Sequence, residues 1–150
     1  MSLKERINED IKQAMLGKRK EELTALRSIK SAILLAETEK GAKEEISDEV
    51  EMKLLMKAAK QRKESGDLFK KEGREDLSDK EFFELKIISK YLPQQMEEDE
   101  VRASLVSIIA SIGASGSADM GKVMGAATKQ LAGKADGKMI STIVKELLAN

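Results

Sequence analysis

The sequence predicts an all-α protein, and three observations carry that prediction. Proline occurs once, at Pro93, and aromatic residues make up only 3% of the chain, a composition that favours long helices over a sandwich or barrel. Apolar residues recur three and four positions apart, and no segment alternates as a half-buried strand would. Most glycines fall between the periodic segments, where they would punctuate helices. The expected architecture is an amino-terminal bundle of about four helices, one of them long, over residues 1–93. A small three-helix domain over residues 94–150 follows it.

Each element has a local cause. Ser2 and Glu5 form a capping box that starts the first helix, Leu3, Ile7, Ile11 and Met15 mark its face, and Gly17 ends it. The second helix runs from about Lys20 to Glu39 with Leu23, Leu26, Ile29 and Ile33 inward and Gly41 beyond. Ser47 caps the third, whose first turn holds Asp48 and Glu49, where the helix dipole favours negative charge. It reaches about Glu72, roughly 37 Å at 1.5 Å per residue. Its stripe of Val50, Leu54, Ala58, Gln61, Ser65 and Leu68 is small or polar in the middle, which predicts a narrow seam.

The fourth helix starts between Arg74 and Ser78, where Ser78 and Glu81 would make a capping box. It carries Leu77, Leu85, Ile88 and Leu92 inward and ends at Pro93, because a proline pushes the residue before it out of helical angles. The fifth spans Glu97 to Ile112 with Val101, Leu105, Ile108 and Ile112 inward, ended by Gly113. After the GASGS loop, a sixth helix from about Ala118 to Leu131 is stopped by Gly133. A seventh, from about Asp136 to Leu148, turns Ile140, Ile143, Val144 and Leu147 inward.

Composition then bounds the chemistry. The 150 residues contain no cysteine and no histidine, which removes disulfides, Cys or His metal ligands, thiol nucleophiles and histidine acid–base catalysis. No catalytic residue, cofactor or metal is expected. There is no run of 18 or more apolar residues, and MSLKERINED lacks the apolar region of a signal peptide, so a cytoplasmic protein without a membrane partner is expected. Twenty-seven basic residues balance 27 acidic ones, so long-range attraction to nucleic acid is not expected. The distribution is local: residues 117–150 hold five lysines against Asp119, Asp136 and Glu146, while Glu97 to Glu100 read EEDE.

Residues 116–122, GSADMGK, fit the first seven positions of a phosphate-binding loop. Val123 replaces the Ser or Thr that would hold magnesium, and a helix precedes the loop instead of a strand, so this match is a coincidence. Gly121 and Gly125 are more telling. They lie four apart on one face of the sixth helix, and each costs about 1 kcal/mol relative to Ala. Either a neighbouring helix packs closely there, or a ligand or sugar–phosphate backbone does. Gly133 supplies a left-handed helix stop, and Asp136 is placed to cap the seventh helix with its side chain. Lys134 opposes the dipole of that helix, which makes sense where an anion docks. Lys53, Lys57 and Lys60, with Arg27, Lys30, Arg62 and Lys63, read as a solvated face. Glu81 and Glu84 are expected to pair with Arg62 or Arg74.

The runs RSIKSAI, KQRKESGDLF, GREDLSDKEFFELKIISKYLPQQM and DMGKVMGAATKQLAGKADGKMI resemble the YqeY-like proteins over nearly the whole chain. The carboxyl-terminal part is similar to the tail domain of the B subunit of glutamine-dependent aminoacyl-tRNA amidotransferases. That resemblance implies a tail that contacts tRNA, and its pattern falls on Gly121, Val123, Met124, Gly133, Lys134 and Ala135. Asp136 stands where the amidotransferase tail usually has Asn, which adds a negative charge beside the turn. Family classification carries carbon–nitrogen ligase activity with glutamine as amide donor, but the kinase-like and amidase parts of the larger enzyme are missing from this sequence. The expected function is a non-catalytic module that binds tRNA or structured RNA through Gly121, Lys122, Gly125, Lys129, Gly133, Lys134, Ala135 and Lys138. The rival readings are a protein-interaction adaptor docking through the amino-terminal helices and an accessory subunit of an amidotransferase.

Overall fold

The computed structural model describes residues 1–39 and 46–149. Among them are seven α-helices and no strand: α1 Leu3–Leu16, α2 Lys20–Glu39, α3 Asp48–Lys71, α4 Glu75–Ser89, α5 Glu98–Ile112, α6 Met120–Gln130 and α7 Gly137–Leu148. A 3-10 turn, Ser117–Asp119, precedes α6. Contacts divide the chain into two compact units, Met1–Leu92 and Pro93–Asn150.

In the first unit α1 starts on the Ser2/Glu5 capping box. Its end differs from the expectation. Gly17 takes right-handed helical angles, and the left-handed residue is Lys18, at φ 55°. Lys18 N–H donates to Met15 O at 3.2 Å and Arg19 N–H to Ala14 O at 2.9 Å, the two bonds of a Schellman stop with lysine in the glycine position. At the end of α3 the same pair of bonds runs from Gly73 and Arg74, with Gly73 at φ 77°. Met15, expected on the inner face, is 55% exposed, and Ala14 fills the buried position. Gly41 lies outside the described residues.

α3 and α4 form the most extensive helix pair, and α2 packs on α4 and α1. The core gathers Ile7, Leu26, Ile33, Leu55, Ile87 and Tyr91. Within α3 the seam runs through Leu55 and Gly66, not through Gln61 and Leu68, and Leu68 is 54% exposed. Gly66 marks the close approach: a Cβ there would sit 2.8 Å from the Phe82 ring. Ser78 caps nothing. It lies inside α4, buried, and its hydroxyl donates to Gly66 O at 2.9 Å, tying α4 to α3. Arg62 bridges the same helices, with Glu81 at 3.1 Å and Glu84 at 3.0 Å, as its charge predicted.

The second unit packs α5, α6 and α7 around Val101, Leu105, Val123, Ala127, Ile143 and Val144. Gly113, at φ 76°, ends α5 in the left-handed conformation. Ile112, expected inside, is the last residue of α5 and is 37% exposed. At the end of α7, Leu148 rather than Leu147 completes the buried stripe. No single helix among the described residues is long and apolar enough to cross a membrane.

Candidate functional site

The tail unit brings most of the predicted residues onto α6 and the turn after it. α6 forms because Met120, Val123, Met124, Ala127 and Leu131 share one stripe, which packs into the tail core. On a helix advancing about 100° per residue, Gly121, Gly125, Lys129 and Lys122 occupy an arc of about 100° on the opposite side. All four are exposed. Nothing lies within 4 Å of a Cβ built at Gly121 or Gly125. The expectation of a neighbouring helix packed on that face is therefore corrected for the described residues: the face is open. It is also nearly free of bulk, since Ala118 and Ala132 extend it at either end, both exposed.

The turn from α6 to α7 is built from Leu131, Gly133 and Ala135. Gly133 is buried and left-handed at φ 74°, a conformation that only glycine adopts at little cost. Leu131 and Ala135 pack on the tail core. Lys134 N–H donates to Leu131 O at 2.9 Å, so its backbone is closed into the turn while its side chain remains exposed. Asp136 occupies the N-cap position of α7, but its side chain makes no capping hydrogen bond. Asp136 has the extended backbone of an N-cap, φ −68°, ψ 135°, yet the expected side-chain cap is not formed.

Lys138 is separated from the α6 lysines in environment. It lines a shallow depression of about 290 Å³ with Glu98, Asp136 and Glu146 among its neighbours. Arg102 is engaged beside it: its guanidinium donates to Glu146 at 2.8 Å, and that bond raises its pKa above the ordinary arginine value. In the first unit, a groove of about 530 Å³ between α2 and α4 is lined by Glu21, Asp76, Asp79 and Glu84 around Phe83. Its four carboxylates outnumber Lys80, which also lines it, and disfavour a phosphate there. Among the described residues no three Asp or Glu side chains converge as a metal-binding group.

Two residues absent from the sequence reading complete the turn. Gln95 Nε2 donates to Gly133 O at 2.7 Å and to Pro93 O at 2.9 Å. Met96 N–H donates to Lys134 O at 2.9 Å. Their only sequence signal was a position just past a helix-ending proline, in a segment without periodicity. The contact spans 38 positions, and no local pattern reports it.

A family model described as "Yqey-like protein" matches residues 4–148. A curated relative, "Altered inheritance of mitochondria protein 41, mitochondrial" of Clavispora lusitaniae, is 36% identical over 125 residues, covering 81% of this chain and 69% of that protein. The family match takes in both units, including the open face of α6 and the turn that carries Lys134. The chain belongs to the YqeY-like family.

Proposed function

We propose that this protein is an RNA-binding module whose tail unit docks the open face of α6 and the adjoining turn against the sugar–phosphate backbone of tRNA or another structured RNA. The observation that carries the reading is the pair Gly121, in the first turn of α6, and Gly125, in its middle, both exposed with nothing near the Cβ positions. Gly125 costs the helix about 1 kcal/mol relative to Ala and Gly121, in the first turn, less, and no packing within the described residues offsets that loss. A bulky backbone approaching from outside does. Structured RNA is read largely by shape, phosphates and 2′-hydroxyls, which needs a flat surface with a few cations and no aromatic platform. Lys122 and Lys129 edge the glycine face, and Lys134 extends the cationic line onto the turn. Gly133 and Ala135 shape that turn, and Lys138 lies at its margin among carboxylates.

In this reading the chain binds and carries no reacting group. The amidotransferase role belongs to the larger enzyme that the tail resembles. Filter binding of tRNA at low salt tests the proposal directly. Binding that weakens steeply with salt, and weakens further in Lys122→Ala/Lys129→Ala and in Lys134→Ala at unchanged helicity, supports it. Absence of binding at low salt, or indifference to all three lysines, refutes it.

A further inference from the structure

The segment YLPQQM follows α4 and leads into the tail unit, and the RNA reading leaves it without a role. Its geometry supplies one. The turn carrying Lys134 presents two backbone carbonyls, Gly133 O and Lys134 O, in the same short stretch as the lysine. Carbonyl oxygens carry partial negative charge and disfavour an anion beside them. Both are occupied from the linker: Gln95 Nε2 donates to Gly133 O at 2.7 Å, and Met96 N–H donates to Lys134 O at 2.9 Å. A third bond, from Gln95 Nε2 to Pro93 O at 2.9 Å, ties the same amide group back to its own segment. Met96 meanwhile packs against the tail core. The turn is thus held from below by Leu131 and Ala135 and from the linker side by Gln95, and the Lys134 side chain is left exposed to solvent.

We propose that Gln95 is a positioning residue for anion recognition at the α6–α7 turn: its amide neutralises and fixes the Gly133 carbonyl so that Lys134 faces a phosphate without a competing acceptor. This rests on the RNA reading and deepens it, since Gln95 itself need not touch the RNA. An acceptor in its place acts oppositely. Glutamate has the same length but cannot donate when ionised, so it leaves Gly133 O unpaired and adds charge of the wrong sign.

The test is tRNA binding to the full chain, well below the melting temperature, for wild type, Gln95→Met, Gln95→Glu and Lys134→Ala. Circular dichroism confirms that each variant is folded. Gln95→Met should weaken binding about fivefold, the scale of one hydrogen bond, and Gln95→Glu more than that. The slope of log affinity against log salt should stay unchanged in Gln95→Met but shrink by about one in Lys134→Ala. A merely structural role would lower the melting temperature and move neither the affinity nor the slope of the folded protein. Equal affinity of wild type and folded Gln95→Met overturns the positioning role while the RNA reading stands. No tRNA binding by wild type overturns both. If the Gln95 variants do not fold, the side-chain amide resonances of Gln95 in the wild type decide: they should shift when tRNA is added along with the Lys134 amide, and their constancy overturns the role.

Discussion

Three backbone positions show what single residues contribute. Gly121 and Gly125 sit where a methyl group would meet nothing within 4 Å, so an alanine there gains helix propensity without a clash. Gly125→Ala should raise unfolding free energy by about 1 kcal/mol, read from urea melts. In the proposed function the same change lowers tRNA affinity. Stability and binding therefore move in opposite directions, and a variant that lost stability would show that something does pack on this face. Lys18 is the converse case. It holds φ 55° where the end of α3 uses Gly73 at φ 77°, and a left-handed side chain costs about 1 kcal/mol or more. Part of that is returned by the greater unfolded-state freedom of glycine, so Lys18→Gly should stabilise the chain by about 0.5–1 kcal/mol. A melt that shifts downward would mean that the lysine side chain makes a contact worth more than its strain.

At the scale of elements, the helix pair α3–α4 is governed by a small contact: Gly66 beneath Phe82, with the Ser78 hydroxyl donating to Gly66 O at 2.9 Å. Gly66→Leu should destabilise by about 1–3 kcal/mol through overpacking. In a Phe82→Ala background the same substitution should cost much less, so a double-mutant cycle measures the contact; additive effects would place the clash elsewhere. α1 is joined to the residue after α4 by the Tyr91 hydroxyl, which donates to Asp10, with Arg6 5.3 Å over the ring. Burial, and then that bond to a carboxylate, raise the Tyr91 pKa well above its ordinary value. The folded state thus favours the neutral phenol, and its contribution is complete below the unfolded pKa of about 10 and is lost as pH rises beyond it. Urea midpoints from pH 8 to 11 should fall more steeply for wild type than for Tyr91→Phe, the lysines being common to both. Equal slopes would show that Tyr91 ionises freely. These two contacts also explain which features were legible beforehand. Caps and stops such as Ser2, Ser47 and Gly113 act within a turn, so α1, α3 and α5 could be bounded from the sequence within a residue or two. The seam of α3 could not, because Leu55 and Gly66 are selected by residues on other helices. Ser78 has the chemistry of a cap and is used to bind a carbonyl twelve positions away. The lysines and glycines of α6 were visible by spacing, whereas the openness of their face and the bonds from Gln95 depend on what lies across the fold.

At the scale of the molecule, charge and unit boundaries constrain how RNA could be held. The chain as a whole is neutral, so its field does not draw a polyanion from a distance, and affinity has to come from lysines brought into contact. Lys122, Lys129, Lys134 and Lys138 set an upper limit of about four displaced counterions, hence a slope of log affinity against log salt no steeper than about −4. Lys138, surrounded by Glu98, Asp136 and Glu146, should add least, and its alanine variant should leave the slope nearest to wild type. All four lie in the unit Pro93–Asn150, which has its own core of Val101, Leu105, Val123, Ile143 and Val144 and keeps the Gln95 and Met96 bonds. A fragment of about 60 residues is marginal by size, so its folding has to be checked first by circular dichroism and a reversible melt. Once folded, the fragment starting at Pro93 should bind tRNA with the slope of the full chain. A full-chain slope steeper by two or more would mean that lysines of the amino-terminal helices also reach the RNA, and the tail would no longer account for recognition by itself.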